Sequence, residues 1–208
     1  MATAGMARMG RCRCSPGSPG RGARRRCRRR RRESAARGED TMTYRVMTVC
    51  TGNICRSPMA EVVLRARFTA AGLAEEVVVD STGVSDEERG NPIDQRARRV
   101  LVAHGYAGGG GHRARQVEAS ELAERDLVLP MTALHARALR RLDPDANVVM
   151  LRRFDPSAPA VTDPRDERRL DIDDPWFGGP LEFEHCLAQI EAAADGVVAY
   201  VRDGLALG

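Results

Sequence analysis

Residues 45–58 read Arg-Val-Met-Thr-Val-Cys-Thr-Gly-Asn-Ile-Cys-Arg-Ser-Pro. An apolar run ends at Cys50, a short loop follows, and a helical pattern opens at Pro58, a residue at home in the first turn of a helix, where a missing N–H costs nothing. A strand feeding a tight loop that feeds a helix N-terminus leaves several backbone N–H groups unpaired and aimed at one point. They carry the positive end of the helix dipole and form an anion-binding nest. Gly52 allows a backbone conformation that other residues resist, and Asn53 tolerates a left-handed one. Arg56 adds a planar fork able to grip two oxygens at once. Cys50 stands at the floor of the same positive field, which favours the nucleophilic thiolate. Ser57 is placed to donate to the sulfur. By itself a Cys-x5-Arg spacing is a weak signal, and Cys50 could be an inert thiol at a strand end. The Gly, the Asn, the Ser-Pro pair and the preceding strand all agree with the anion loop.

The rest of the chain alternates in the same way. Strands are expected at Arg45–Val49, Val77–Val79, Leu127–Leu129 and Val148–Leu151. Helices are expected at Met59–Ala71, closed by Gly72, at Asp94–His104, closed by Gly105, at Ala133–Leu142 and at Leu181–Val201. Residues 155–173, rich in proline and charge, read as irregular. The pattern predicts a three-layer α/β/α fold with a four-stranded parallel sheet and the anion loop after the first strand. Ligands of such sheets bind at the carboxyl ends of strands, where the Cys50 loop lies.

Cleaving an ester there needs a proton for the leaving oxygen. Asp171-Ile-Asp-Asp-Pro-Trp-Phe-Gly-Gly offers candidates. Pro175 restrains the residue before it to extended backbone, which makes Asp174 a carboxylate fixed on a loop, with Asp173 as runner-up. Asp-Pro also occurs at Asp143, Asp155 and Asp163, where it marks turns, so the dipeptide does not decide the matter. Trp176 and Phe177 are large rings in a loop that could wall a pocket for an aromatic group.

Composition divides the chain. Residues 1–41 hold 13 Arg and 3 acidic residues, a net of +10, against +4 for the whole, which leaves −6 for residues 42–208. The first segment reads as a disordered Arg-rich tail, or as a mis-assigned start upstream of Met42, since a chain without lysine suggests arginine-favouring codons. Residues 42–208 suffice for one domain, and its acidic balance predicts no nucleic-acid partner. No apolar run approaches a membrane span, and Cys50, Cys55 and Cys186 lack zinc-ligand spacing. A working thiol implies a reducing compartment, so the expected location is cytoplasmic, with export lacking a signal segment left open.

The loop Val-Cys-Thr-Gly-Asn-Ile-Cys-Arg-Ser-Pro resembles the signature of the low-molecular-weight protein tyrosine phosphatases, and the likeness runs from about Tyr44 to the C-terminus. It implies Cys50 as nucleophile, Arg56 as phosphate clamp and Asp174, in a late Asp-Pro-aromatic-aromatic-Gly segment, as general acid. It implies phosphate binding by Thr51, Gly52, Asn53, Ile54, Cys55 and Ser57, with Trp176 and Phe177 lining the substrate site. It makes Ser81 and His112 candidates for the network under the loop. Cys55, a second thiol beside the first, reads either as a loop or core cysteine or as a resolving partner that forms a reversible disulfide with Cys50. Phosphotyrosine-containing proteins are the implied substrates, with no cofactor. The chain departs from the family at Glu87-Glu88-Arg89, where an aromatic often lines the cleft, and at Pro130-Met131-Thr132. Two other functions stand beside this one. An arsenate reductase shares such a loop, although residues 87–185 contain no cysteine for the thioredoxin-coupled type. A non-catalytic phosphate-binding module is the other.

Overall fold

The computed structural model describes residues 43–206; the Arg-rich segment and its proposed boundary lie outside them. Three parallel strands stand in the order β2-β1-β3: β1 Tyr44–Cys50, β2 Val77–Gly83 and β3 Leu127–Pro130. β1 is central, and all of it but Arg45 is buried. Its residues alternate between two apolar layers, as the period of a strand requires. Val46 and Cys50 face a core built with Phe68, Leu101, Phe183, Leu187 and Ile190. Met47 and Val49 face a smaller one with Val117, Leu122 and Leu139.

Five helices cover the two faces. Helix α1, Arg56–Ala70, buries Met59, Ala60, Val63, Leu64 and Phe68, one stripe at helical spacing. It ends as expected on Gly72, at φ 74°. Helix α2, Gln95–Ala103, is capped by the Asp94 side chain, which accepts from the Arg96 N–H. A five-residue helix α3, Ala119–Ala123, is too short to show periodicity and was not anticipated. Helix α4, Ala133–Leu142, is capped by Thr132, so the unusual Pro-Met-Thr segment ends one strand and starts one helix. Helix α5, Pro180–Ala206, runs past its expected end and buries Phe183, Cys186, Leu187, Ile190, Ala193, Ala194, Val197 and Val201.

The expected fourth strand at Val148–Leu151 is corrected to a single parallel bridge, Val128 to Val148. Val149 N–H reaches the Val128 carbonyl at 2.9 Å, and then the chain leaves the sheet. Leu151–Phe154 coils into a 3-10 turn that buries Leu151. That turn is pinned by α5, since a Cβ at Gly196 would stand 2.3 Å from the Phe154 carbonyl oxygen. An apolar run of four residues cannot say whether a ladder or a helix face will bury it. The irregular stretch also contains a 3-10 helix at Pro164–Leu170, and Pro175–Phe177 forms another turn.

Candidate active site

The loop between β1 and α1 is held from outside through its carbonyls. Cys50 C=O accepts from Val84 N–H at 3.0 Å, Thr51 C=O from Ser85 N–H at 3.1 Å, and Ile54 C=O from Asp94 N–H at 2.8 Å. His112 Nε2 donates to the Asn53 carbonyl at 2.7 Å. Among the described residues no acceptor takes up the N–H groups of residues 51–57. Backbone donors without partners are costly unless water or a ligand uses them, and a run of successive N–H groups of this kind suits an oxyanion.

Asn53 holds the loop's bend. It has φ 60°, the only described non-glycine residue with positive φ, and its side chain is fully buried. Its amide donates to Ser57 Oγ at 3.0 Å and to Ser81 Oγ at 2.9 Å, and its carbonyl oxygen accepts from Arg115 N–H at 3.0 Å. Ser81 in turn donates to Glu61 at 2.6 Å. Ser81 and His112 both bond to Asn53, the first through its side-chain amide and the second through its backbone carbonyl. Gly52 differs from its expected role. Its backbone is not left-handed; a Cβ there would meet Glu88 Cγ at 2.8 Å. Space, and not conformational freedom, excludes a side chain. Gly83, opposite Cys50 in β2, serves the loop likewise, since a Cβ would lie 2.3 Å from the Thr51 carbonyl oxygen.

Cys50 Sγ lies 3.0 Å from Ser57 Oγ. The Ser57 hydroxyl has one proton and two places for it, the sulfur or the Thr82 carbonyl at 3.1 Å. A charged sulfur draws the proton to itself and a neutral thiol releases it, so the pair adapts to either state without an orphaned group. Arg56 opens α1, two residues before Pro58, and is 3% exposed. It donates through Nη1 to the Ile172 carbonyl at 3.1 Å and through Nη2 to Thr51 Oγ1 at 3.3 Å and to the Asp174 carboxylate. Its buried Nε has no partner. Asp174 is thereby brought from 118 positions away to the guanidinium that closes the loop. Its other oxygen accepts from Trp176 N–H at 3.2 Å. Asp171 is engaged elsewhere, accepting from Ala133 N–H at 2.6 Å at the start of α4, and Asp173 is exposed. The two rings do not make one wall. Trp176, 41% exposed, lies 5.4 Å from the Arg96 guanidinium, whereas Phe177 is 91% exposed. The 3-10 turn buries Pro175 and sends the next two side chains outward.

The other thiols are muted. Burial, with the neighbouring Asp94 carboxylate, pushes Cys55 well above the ordinary thiol range, and burial pushes Cys186 up to about 12. Cys50, Cys55 and Cys186 are all free. His135 on α4 escaped the sequence reading. It is buried, its Nε2 is 3.0 Å from Thr51 Oγ1, and its Nδ1 has no partner. Burial and the Arg56 charge lower it to about 3, so it is neutral at any physiological pH. It occupies a place on the buried stripe of α4 with Ala133, Ala136 and Leu139, and no local signal separates it from a core residue. Among the described residues, no three of His, Cys, Asp or Glu gather as metal ligands. No helix there is long and apolar enough to cross a membrane.

A parallel α/β sheet whose central strand ends at a buried thiol, with a tight loop and a helix N-terminus directly after it, defines a class of α/β protein. The comparisons narrow it. The family model for low molecular weight phosphotyrosine protein phosphatase matches residues 45–205. A low molecular weight protein-tyrosine-phosphatase of Streptomyces coelicolor is 49% identical over 166 residues, covering 78% of this chain and 96% of that protein. The low molecular weight protein-tyrosine phosphatase A of Mycobacterium tuberculosis is 42% identical over 162 residues, covering 77% and 93%. Among solved structures, YfkJ from Bacillus subtilis matches with a TM-score of 0.69 at 26% identity, over 79% of this chain and 98% of that one. The chain belongs to the low-molecular-weight phosphotyrosine protein phosphatase family.

Proposed function

We propose that the protein hydrolyses phosphotyrosine in proteins, and small aryl phosphates, through a phosphocysteine intermediate. The observations that support this are the unpartnered N–H groups of residues 51–57 in the loop that follows Cys50, and the buried Arg56 guanidinium that closes the loop and holds the Asp174 carboxylate. The phosphate takes up the N–H groups of residues 51–57 and the Arg56 fork, and displaces Asp174 from Arg56. The Cys50 thiolate attacks phosphorus in line with the ester bond. The S–P bond forms as the P–O bond to the aryl group breaks, and Asp174 gives its proton to the departing phenoxide oxygen. Water then attacks the phosphocysteine, passing a proton to the Asp174 carboxylate. The S–P bond breaks, inorganic phosphate leaves, and the Ser57 hydroxyl steadies the returning thiolate. The N–H groups act where charge collects on the equatorial oxygens, and they need no reorganisation to do so.

Trp176 offers one side of a place for the aryl ring. Glu88 packs on Gly52 with Glu87 beside it, so the cleft rim near the loop is acidic where relatives often carry an aromatic. No observation favours the arsenate reductase reading: Cys55 and Cys186 are both buried, and residues 87–185 hold no other thiol. The test is release of phosphate from an aryl phosphate and from a phosphotyrosyl peptide, without added metal, by the parent and by Cys50→Ser. The parent turns over both and the variant neither. Full activity in Cys50→Ser, or none in the parent, defeats the proposal.

A further inference from the structure

Arg96 is used by none of these steps, yet its guanidinium meets a partner on every side. Nε and Nη2 close on the Asp94 carboxylate at 3.1 and 3.0 Å. Nη1 reaches out of α2 to two carbonyls of the segment around Asp174, Trp176 C=O at 3.1 Å and Gly178 C=O at 3.0 Å. The cation also lies 5.4 Å from the centre of the Trp176 ring and 4.7 Å from that of Phe183. Capping α2 asks for none of this, because the Asp94 side chain already accepts the Arg96 backbone N–H at 2.7 Å. The Trp176 peptide is consequently held at both ends, its N–H by Asp174 and its C=O by Arg96. On the other side, Asp94 N–H holds the Ile54 carbonyl of the phosphate loop at 2.8 Å.

We propose that Arg96, paired with Asp94, is a positioning residue: a strut from the phosphate loop to the turn bearing Asp174, which sets how far the Asp174 carboxyl stands from the leaving oxygen above Cys50. The inference rests on Asp174 being the general acid. Carbonyls held by a charged donor are held firmly, and a fork that binds a carboxylate and two carbonyls together has no equivalent in lysine. A shift of about 1 Å in a reacting group can cost about 100-fold in rate.

A leaving-group series reads this out. Phenol, with a pKa of about 10, needs the proton of the acid, whereas dinitrophenol leaves without it. In Arg96→Met, kcat/KM on phenyl phosphate, which reports the steps through transfer to Cys50 and not the later hydrolysis, falls about 10- to 100-fold. On dinitrophenyl phosphate kcat/KM changes by less than about 3-fold, and inhibition by inorganic phosphate stays as in the parent. Arg96→Lys falls between the two. Asp174→Asn, assayed alongside, shows the same selectivity with a loss of about 10²- to 10⁴-fold on phenyl phosphate. Equal losses on both substrates in Arg96→Met, or no loss on either, while Asp174→Asn keeps its selectivity, overturns the proposal. An unselective Asp174→Asn instead sinks the acid assignment, a separate failure. If circular dichroism shows Arg96→Met unfolded, Arg96→Lys decides on the same ratio, and a ratio equal to the parent's overturns the proposal.

Discussion

The two halves of the candidate site are built by opposite means. The loop at residues 50–57 is buried and over-determined: Asn53 alone has three side-chain partners and a fourth on its carbonyl. The turn after Asp174 is exposed, with Phe177 in solvent, and hangs on Arg96 and the Asp174–Trp176 hydrogen bond. The difference follows from the work proposed for each. Donors to a phosphate act best when they cannot move, which requires a rigid bed. An acid must admit a substrate, protonate it and then face water, which requires a place at the rim. The loop therefore couples activity to fold stability, and the turn couples it to position alone.

Three measurements can break or sharpen that contrast. Asn53→Ala carries the largest expected effect. It places alanine at φ 60°, costing about 1–2 kcal/mol, and strips buried partners from Ser57, Ser81 and Arg115, at about 1 kcal/mol or more each. Urea unfolding should register about 3 kcal/mol or more, with activity falling in step. A variant as stable as the parent shows that the loop is not held by its core. His135 comes next. Unfolded, it titrates near 6.5; folded, it is lowered to about 3. The unfolded chain alone takes the proton between those values, so this stability is fully present above about pH 6.5 and is lost as pH falls. The slope is about 1.4 kcal/mol per pH unit. His135→Gln should flatten the dependence between pH 6 and 4.5, and an unchanged slope removes His135 from the account. The smallest effect belongs to the turn. Phe177→Ala should change stability by less than about 0.5 kcal/mol, since its ring buries almost nothing. A loss above 1 kcal/mol in thermal unfolding would show that the turn, too, is part of the core.

The loop was readable in the sequence because everything that shapes it is local. Cys50, Asn53, Arg56 and Ser57 lie within eight residues, and an anion nest needs only backbone N–H groups in a tight turn. The alternation of strands and helices was readable for the same reason, since period 2 and period 3.6 are short-range patterns. The failures also have physical causes. Val148–Leu151 reads as a strand because an apolar quartet is silent about its partner, and the close approach of Gly196 to the Phe154 carbonyl lets the turn that follows pack on the last helix. Gly52 reads as a conformational need because the sequence cannot show Glu88 above it. The resemblance, not the spacing, pointed to Asp174 over Asp173, Ser81 and His112.

By itself, then, the sequence determined a thiol at the end of a buried strand, the tight loop and helix start that follow it, and the class of fold able to carry them. Only the tertiary structure decided what stands around that loop. Asp174 meets Arg56 across 118 positions, His135 meets Thr51 across 84, and Arg96 meets Gly178 across 82. No local pattern encodes such pairs, because their distances are set by how α2, α4 and the last turn pack on the sheet, and that packing is a property of the whole core.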